Sequence, residues 1–143
     1  MSLKYHQLDS SVEKQIKENI SKGILSPYRF MDENAVRRNM GKDKNSVLRP
    51  SFGRDIEKIL HLPLYNRYND KTHVFSFYNN DDITRRGLHV QLVSRISRNI
   101  GRMLGLNLDL IEAIALGHDV GHTPFGHAGE RYLSELLQKE TGR

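Results

Sequence analysis

Two stretches of apolar residues at helical spacing lie between positions 88 and 118, and a short break at Gly105 and Leu106 separates them. Residues three or four positions apart share one face of an α-helix, so each stretch predicts one helix with a buried face. The first stretch contains Leu88, Leu92, Val93, Ile96, Ile100, Met103 and Leu104, and the second contains Leu110, Ile111, Ile114 and Ala115. Asn107 is expected to cap the second helix. Because the connection is short, the two helices are expected to pack antiparallel.

Two earlier segments also carry helical patterns. Residues 10–22 predict a short polar helix, and residues 52–62 predict an amphipathic helix with its apolar residues on one face. The boundaries are expected at Ser10 or Ser11 and Gly23 for the first helix and at Pro63 for the second.

The rest of the chain predicts one more helix and a short β-segment. An amphipathic helix is expected to begin near Ala128 and to face inward with Tyr132, Leu133, Leu136 and Leu137. Thr, Val, Phe and Tyr are frequent just after position 71 and are followed by a turn sequence, which indicates a short β-hairpin near residues 72–84. The expected fold class is therefore mainly all-α.

Composition narrows the class of protein. The chain has 143 residues, enough for one domain, and no cysteine, which excludes disulfides and thiolate metal sites. No apolar run approaches the length of a membrane span and no signal peptide is visible, so we expect a cytoplasmic protein without a membrane partner. The net charge of +5 favours an anionic partner such as a nucleotide or nucleic acid, although a solvated basic surface explains it equally well.

The segment from Gly117 to Glu130 reads G-H-D-V-G-H-T-P-F-G-H-A-G-E and concentrates three histidines, an aspartate and a glutamate. Histidine and carboxylate side chains are natural nitrogen and oxygen ligands for a metal and natural groups for proton transfer. This segment is therefore the expected centre of any chemistry.

The spacing predicts that two histidines meet. His118 follows Ile114 by four residues and His89 precedes Val93 by four, so each extends the inward face of its helix. In an antiparallel pair the start of one helix lies near the end of the next, which brings His89 and His118 together with Asp119 beside them. Such a set suits iron, manganese, nickel, cobalt or zinc, whereas buried histidines bonded to backbone carbonyls are the alternative.

His127 and Glu130 lie three residues apart at the start of the last predicted helix, so their side chains share one face. A carboxylate in this position can orient an imidazole and raise its basicity, as a general acid or base requires. The alternative is that Glu130 only favours the positive end of its helix.

These residues belong to a longer series of motifs that resembles a known family. The series comprises S-P-Y at 26–28, R-P-S-F-G-R-D at 49–55, K-T-H-V-F at 71–75, R-R-G-L-H at 85–89 and A-I-A-L-G-H-D at 113–119, and it continues through Glu130. It resembles the HD superfamily of metal-dependent phosphohydrolases, and more narrowly the dGTPase-like deoxynucleoside triphosphate triphosphohydrolases. The likeness runs from about Ser26 to Leu137. It implies an HD-domain helical fold over residues 49–143, preceded by a helix and an irregular segment over residues 1–48.

The resemblance also implies roles for particular residues. Three would be ligands of a divalent ion (Mn, Fe, Ni, Co, Zn or Mg), one would contact phosphate and three would stand in the active site. The ligands are His89, His118 and Asp119, the phosphate-binding residue is Arg86, and the active-site residues are His122 and the catalytic pair His127 and Glu130. The family cleaves a deoxynucleoside triphosphate to deoxynucleoside and tripolyphosphate, and its members are often homo-oligomers.

The sequence departs from the family pattern in two places. His73 stands where members tend to have glutamine, and no aspartate follows Asp119, although the family has a fourth ligand, an aspartate, much later. We therefore expect the N-terminal part of a longer enzyme, with little or no activity on its own. Another HD phosphohydrolase, acting on a phosphomonoester, cyclic nucleotide or alarmone, and a non-catalytic module that binds nucleotide or nucleic acid remain alternatives.

Overall fold

Helices account for almost all regular structure in the computed structural model, which describes residues 8–39, 45–69, 82–123 and 125–142. The described residues form six α-helices, two 3-10 turns and no strand, so the expected all-α class is confirmed. The helices are α1 Ser10–Ser21, α2 Ser51–Leu60, α3 Pro63–Asn66, α4 Arg86–Met103, α5 Leu108–Gly117 and α6 Gly126–Thr141, and the 3-10 turns are Asp32–Asn34 and Arg67–Asn69. The hairpin predicted near residues 72–84 lies outside the described residues except for 82–84.

Helices α4 and α5 form the antiparallel hairpin that the sequence predicted. At one end, a Cβ atom built on Gly101 would lie 3.3 Å from Leu108 Cδ2, so the end of α4 meets the start of α5. At the other end, the rings of His89 and His118 are 5.7 Å apart. Helix α2 packs on the side of α5, where a Cβ atom built on Gly117 would lie 3.4 Å from Ile59 Cδ1. The start of α4 and the end of α5 are therefore held together.

Most helix boundaries agree with the sequence, and three differ. Asn107 caps α5 as predicted, since its side-chain oxygen accepts hydrogen bonds from Asp109 N and Leu110 N. Asp9, rather than Ser10 or Ser11, caps α1. Pro63 begins α3 instead of ending α2, because its fixed φ suits a first helical position and its missing N–H is not needed there. Helix α5 ends at Gly117, so His118, which was expected to extend the face of this helix, is the residue that follows its last turn.

The prediction of which apolar residues face inward is largely wrong. The residues of α4 buried in the core are Val90, Ser94 and Gly101, whereas most of the predicted stripe is exposed, including Leu92 at 52% and Ile96 at 60%. Ile114 of α5 and the apolar residues of α6 (Tyr132, Leu133, Leu136 and Leu137) are exposed as well. The physical reason in α4 is that Gly101 faces Leu108 and Ile111 and allows α5 to approach closely, so the large apolar stripe lies on another face.

Candidate metal centre and active site

Three of the predicted site residues come together where α4 begins and α5 ends. His89 lies in the first turn of α4, and His118 and Asp119 directly follow α5. One ligand atom from each of the three lies within 4.8 Å of the others. His89 and Asp119 are partly buried and His118 faces solvent. Two imidazoles and a carboxylate at this spacing fit a single divalent ion of the first transition row.

His118 is oriented by the backbone of its own helix. Its Nδ1 lies 2.6 Å from Ala115 O, so the ring N–H donates to that carbonyl. This hydrogen bond fixes the proton on Nδ1 and leaves Nε2, which lies 3.9 Å from Asp119 Oδ2, as an acceptor facing the cluster. A second ring nitrogen bonded to a carbonyl is the usual support of a metal-ligating histidine. The hydrogen bond to Ala115 O is therefore compatible with a ligand role for His118.

Asp119 forms a buried ion pair with Arg86. Arg86 Nη1 lies 2.6 Å from Asp119 Oδ2, and the two side chains are only 14% and 13% exposed. Burial pushes the pKa of the Asp119 carboxyl upward, but the hydrogen bond and charge of Arg86 outweigh burial, with smaller contributions from His118 and His122. The resulting pKa lies below the ordinary value. Asp119 is therefore ionised at neutral pH, as a metal ligand must be.

His89, His118 and Asp119 form a first cluster. Glu130 joins His122 and His127 into a second cluster beside it. Its Oε2 accepts from His127 Nδ1 at 3.0 Å, as the spacing predicted, and its Oε1 lies 3.1 Å from His122 Nδ1. The hydrogen bond from His127 is the main cause that holds the pKa of Glu130 below its ordinary value. His127 is 91% exposed and His122 only 12%. The cluster thus consists of a solvent-facing imidazole and a buried one on a shared carboxylate.

The turn between α5 and α6 positions this second cluster. Gly121 has φ +90°, and Phe125 has φ +66°, a left-handed conformation that no other non-glycine among the described residues adopts. His122 N donates to Asp119 O, which closes the first part of the turn. His122 Nδ1 lies 3.9 Å from Asp119 Oδ1 and so stands between the two clusters. A strained non-glycine residue next to such a cluster is a common feature of functional sites.

The structure adds one residue that the sequence did not indicate. Tyr68, in the turn Arg67–Asn69, is 1% exposed, and its hydroxyl has no hydrogen-bond partner among the described residues. Burial, and to a smaller extent the Asp119 carboxylate, raises its pKa to about 12. No sequence signal near Tyr68 points to Asp119, which lies far along the chain.

The comparison with known families matches the segment that contains both clusters. Residues 86–143 match the family model of the HD domain.

Residues 86–143 belong to the HD-domain family.

Several similar proteins share one name. The deoxyguanosinetriphosphate triphosphohydrolase-like protein of Caldanaerobacter subterraneus subsp. tengcongensis is 42% identical over 125 residues, which are 87% of this chain and 37% of that protein. The protein of the same name from Leptospira interrogans serogroup Icterohaemorrhagiae serovar Lai is 42% identical over 138 residues, which are 96% of this chain and 34% of the relative. That of Rhodopseudomonas palustris is 42% identical over 125 residues, 86% of this chain and 31% of the relative. The chain thus spans about a third of their length.

The HD-domain residues of this chain offer three chemical functions at one place. The first cluster can hold a divalent ion, Arg86 supplies a buried positive charge, and the second cluster supplies an imidazole backed by a carboxylate. No helix in the described part of the chain has both the length and the apolar character needed to cross a membrane.

Proposed function

We propose that this HD domain belongs to a metal-dependent phosphohydrolase that converts a deoxynucleoside triphosphate into deoxynucleoside and tripolyphosphate. The observation that carries the proposal is the convergence of His89, His118 and Asp119 within 4.8 Å, beside a histidine–glutamate pair. The names of the relatives support a dGTP-like substrate, and the basic net charge of +5 suits a polyanionic one.

In this proposal His89, His118 and Asp119 hold the metal. His118 presents Nε2, because its Nδ1 is bonded to Ala115 O. Asp119 presents an ionised carboxylate whose charge Arg86 already balances. A divalent ion bound there supplies Lewis-acid stabilisation of the charge that develops on the phosphoryl oxygens. The donor set accommodates manganese, iron, nickel, cobalt, zinc or magnesium.

His127 is the residue proposed to exchange protons during hydrolysis. Its Nδ1 donates to Glu130, so its Nε2 is directed to solvent and can accept a proton from water or donate one to the departing 5′ oxygen. His122 holds the other oxygen of Glu130 at 3.1 Å and so keeps the carboxylate between the two rings. Glu130 thereby stabilises the imidazolium that forms when His127 takes up a proton.

Arg86 is proposed to contact the substrate phosphates. One of its terminal nitrogens bonds Asp119, and its buried Nε has no hydrogen-bond partner in the part of the chain that the structure describes. A guanidinium carries five N–H donors in a fixed plane, so it can face a phosphate and a carboxylate in turn or together.

The experiment is a product assay. The chain, and the full-length natural protein where that is longer, is incubated with Mn²⁺ and each deoxynucleoside triphosphate, and the released phosphates are separated by ion chromatography. Tripolyphosphate with an equal amount of deoxynucleoside is expected. Pyrophosphate or orthophosphate would assign the protein to another branch of the HD superfamily. Bound nucleotide without turnover in either form would instead favour a binding module.

Variants of the proposed site residues, each with a matched control, test whether the products are formed at this site. His127→Ala and Glu130→Gln are expected to lower turnover by about 100-fold or more, the usual contribution of a general acid or base. The controls are His61→Ala, an exposed histidine at the end of α2, and Glu135→Gln, an exposed glutamate on α6. Equal losses in site variants and controls would contradict the assigned roles.

A further inference from the structure

A cavity of about 650 Å³ lies at the end of the α4–α5 hairpin that is remote from the two clusters. It is lined by α1, the loop that follows α1, the end of α4 and the start of α5. Arg102, in the last turn of α4, lines the cavity and stands roughly 20 Å along the helix from His89, at about 1.5 Å per residue. The cavity is therefore separate from the metal centre, and its volume is typical of a small-molecule site.

The lining of the cavity is largely aliphatic. Helix α1 contributes Ile16 and Ile20, the following loop contributes Leu25, and the end of α4 contributes Leu104. Ile20, Leu25 and Leu104 are each about half exposed, so their apolar surface is open to a ligand. No aromatic side chain is among the described residues that line the cavity, so it lacks the ring on which a nucleobase would stack.

Hydrogen bonds hold the loop against the connection between α4 and α5. Ser26 N donates to Gly105 O at 3.1 Å, and Arg29 Nη1 donates to Leu106 O at 2.6 Å. Gly105 has φ +66°, and a Cβ atom built on it would lie 2.8 Å from Ser26 N, so the two segments are in close contact. The cavity is therefore already formed without a ligand.

Two guanidinium groups at the cavity have donors that the protein does not use. Arg29 Nη1 is bonded to Leu106 O, but Arg29 Nη2 is not fully buried and makes no hydrogen bond in the part of the chain that the structure describes. The Arg102 side chain is exposed and has no hydrogen bond or ion pair with any described residue. Arg98 differs, because it forms an ion pair with Glu112.

The acidic residues that line the cavity already have partners. Asp32 Oδ1 accepts a hydrogen bond from Phe52 N and Oδ2 accepts one from Asn107 Nδ2, both at 3.0 Å. Asp109 Oδ1 lies 3.7 Å from Arg98 Nη1. The charge that is free to meet a ligand is therefore positive. A guanidinium group presents its donors in a plane that matches a carboxylate or a phosphate.

We propose that this cavity binds a small organic anion in which a carboxylate or a phosphate is attached to an aliphatic chain. Arg29 and Arg102 supply donors to the charged head, and the aliphatic side chains of α1 and its loop remove the chain of the ligand from water. The described lining residues include no member of the two clusters, so the inference does not rest on the proposed function.

The test is an NMR titration with octanoate, octyl phosphate and octanol, carried out on the chain and on the full-length natural protein where that is longer. At least one of the two anions is expected to shift the amide signals of Gly105 and Leu106 until they saturate, and the anion with the lower Kd identifies the head group. Octanol has the same chain without the charge. It is expected to bind about 10-fold or more weakly, because hydrogen bonds between charged groups are the stronger ones.

Two variants with matched controls locate the binding site. Arg102→Gln is expected to weaken binding of the anion about 10-fold or more. Arg95→Gln changes an exposed arginine of α4 outside the lining and should bind as wild type does. Ile20→Asn is also expected to weaken binding, because it removes apolar surface from the cavity. Its control is Val12→Asn, which changes a residue of α1 that is similarly exposed but does not line the cavity.

The inference has clear contradicting outcomes. Equal Kd values for octanol and the better anion, or wild-type affinity in Arg102→Gln, would overturn it. Signals that fail to saturate in every titration would overturn it as well, and so would binding by the chain but not by a longer natural protein. None of these outcomes affects the product assay, which tests the proposed function separately.

Discussion

Replacing Arg86 by methionine should leave a buried carboxylate without its counter-charge. The substitution keeps most of the side-chain volume but removes the guanidinium that lies 2.6 Å from Asp119 Oδ2, at side-chain exposures of 14% and 13%. Breaking a buried ion pair by removing one partner costs several kcal/mol. For this slightly exposed pair we expect about 3 kcal/mol of unfolding free energy at pH 7. In a chain of this size that loss corresponds to a fall of roughly 6–12 °C in Tm.

The pKa of Asp119 determines how the stability difference between wild type and Arg86→Met changes with pH. The pKa of Asp119 is lowered in the folded wild type, so the ion pair stabilises the fold above the ordinary carboxyl value of 3.8 and loses this effect as the pH falls through the lower folded value. In Arg86→Met only the smaller effects of His118 and His122 still oppose burial, so the pKa of Asp119 rises above its wild-type value. The carboxyl then takes up a proton at a higher pH on acidification and no longer needs a partner. The difference in stability between the two proteins should therefore be largest at neutral pH and shrink in acid.

Urea unfolding without metal, at pH 7 and near pH 4, measures the loss of unfolding free energy and its change with pH. Arg95→Met is the matched control, since Arg95 is an exposed arginine on the same helix. A loss below about 1 kcal/mol at pH 7, the size expected for a surface pair, would refute the reasoning. A deficit that stays constant between the two pH values would refute it as well.

Three further predictions concern the fold. Gly105→Ala should cost about 1–2 kcal/mol more than Gly23→Ala, because both glycines have positive φ but only at Gly105 would a Cβ meet backbone, 2.8 Å from Ser26 N; urea unfolding of both variants checks this. Asn107→Ala should destabilise the chain by roughly 2–3 kcal/mol, since the side chain caps α5 and also donates to Phe30 O; a loss below about 1 kcal/mol in the same assay would contradict it. The exposed stripe on α4 should support self-association, so sedimentation velocity should show a species larger than a monomer that Leu92→Gln reduces; a wild-type monomer at all concentrations would rule this out.

The hairpin of α4 and α5 and the meeting of His89 and His118 could be predicted because both depend on residues that are close together in the sequence. The break at Gly105, the cap at Asn107 and the four-residue offsets of His89 and His118 follow from helical geometry alone. His127 and Glu130 meet for the same reason, since three residues within one helix fix their distance.

The remaining features depend on packing that the sequence does not encode locally. Leu92 and Ile96 repeat at helical spacing, yet both are exposed, and the face of α4 that meets α5 contains Gly101 instead. The ion pair of Arg86 and Asp119 joins two elements 33 residues apart, so no local spacing could indicate it.

The contact between His122 and Glu130 is also not encoded by helical spacing. It depends on the turn between α5 and α6, which contains His122 and in which Gly121 and Phe125 adopt positive φ. Helical geometry alone therefore gave only half of the second cluster.

A titration with Mn²⁺, followed by electron paramagnetic resonance of the free ion, tests the metal centre most directly. The account predicts one ion bound per chain by the wild type and by His61→Ala, and binding weakened by orders of magnitude in His118→Ala and Asp119→Ala. Equal Mn²⁺ binding by the wild type and the two ligand variants would contradict it.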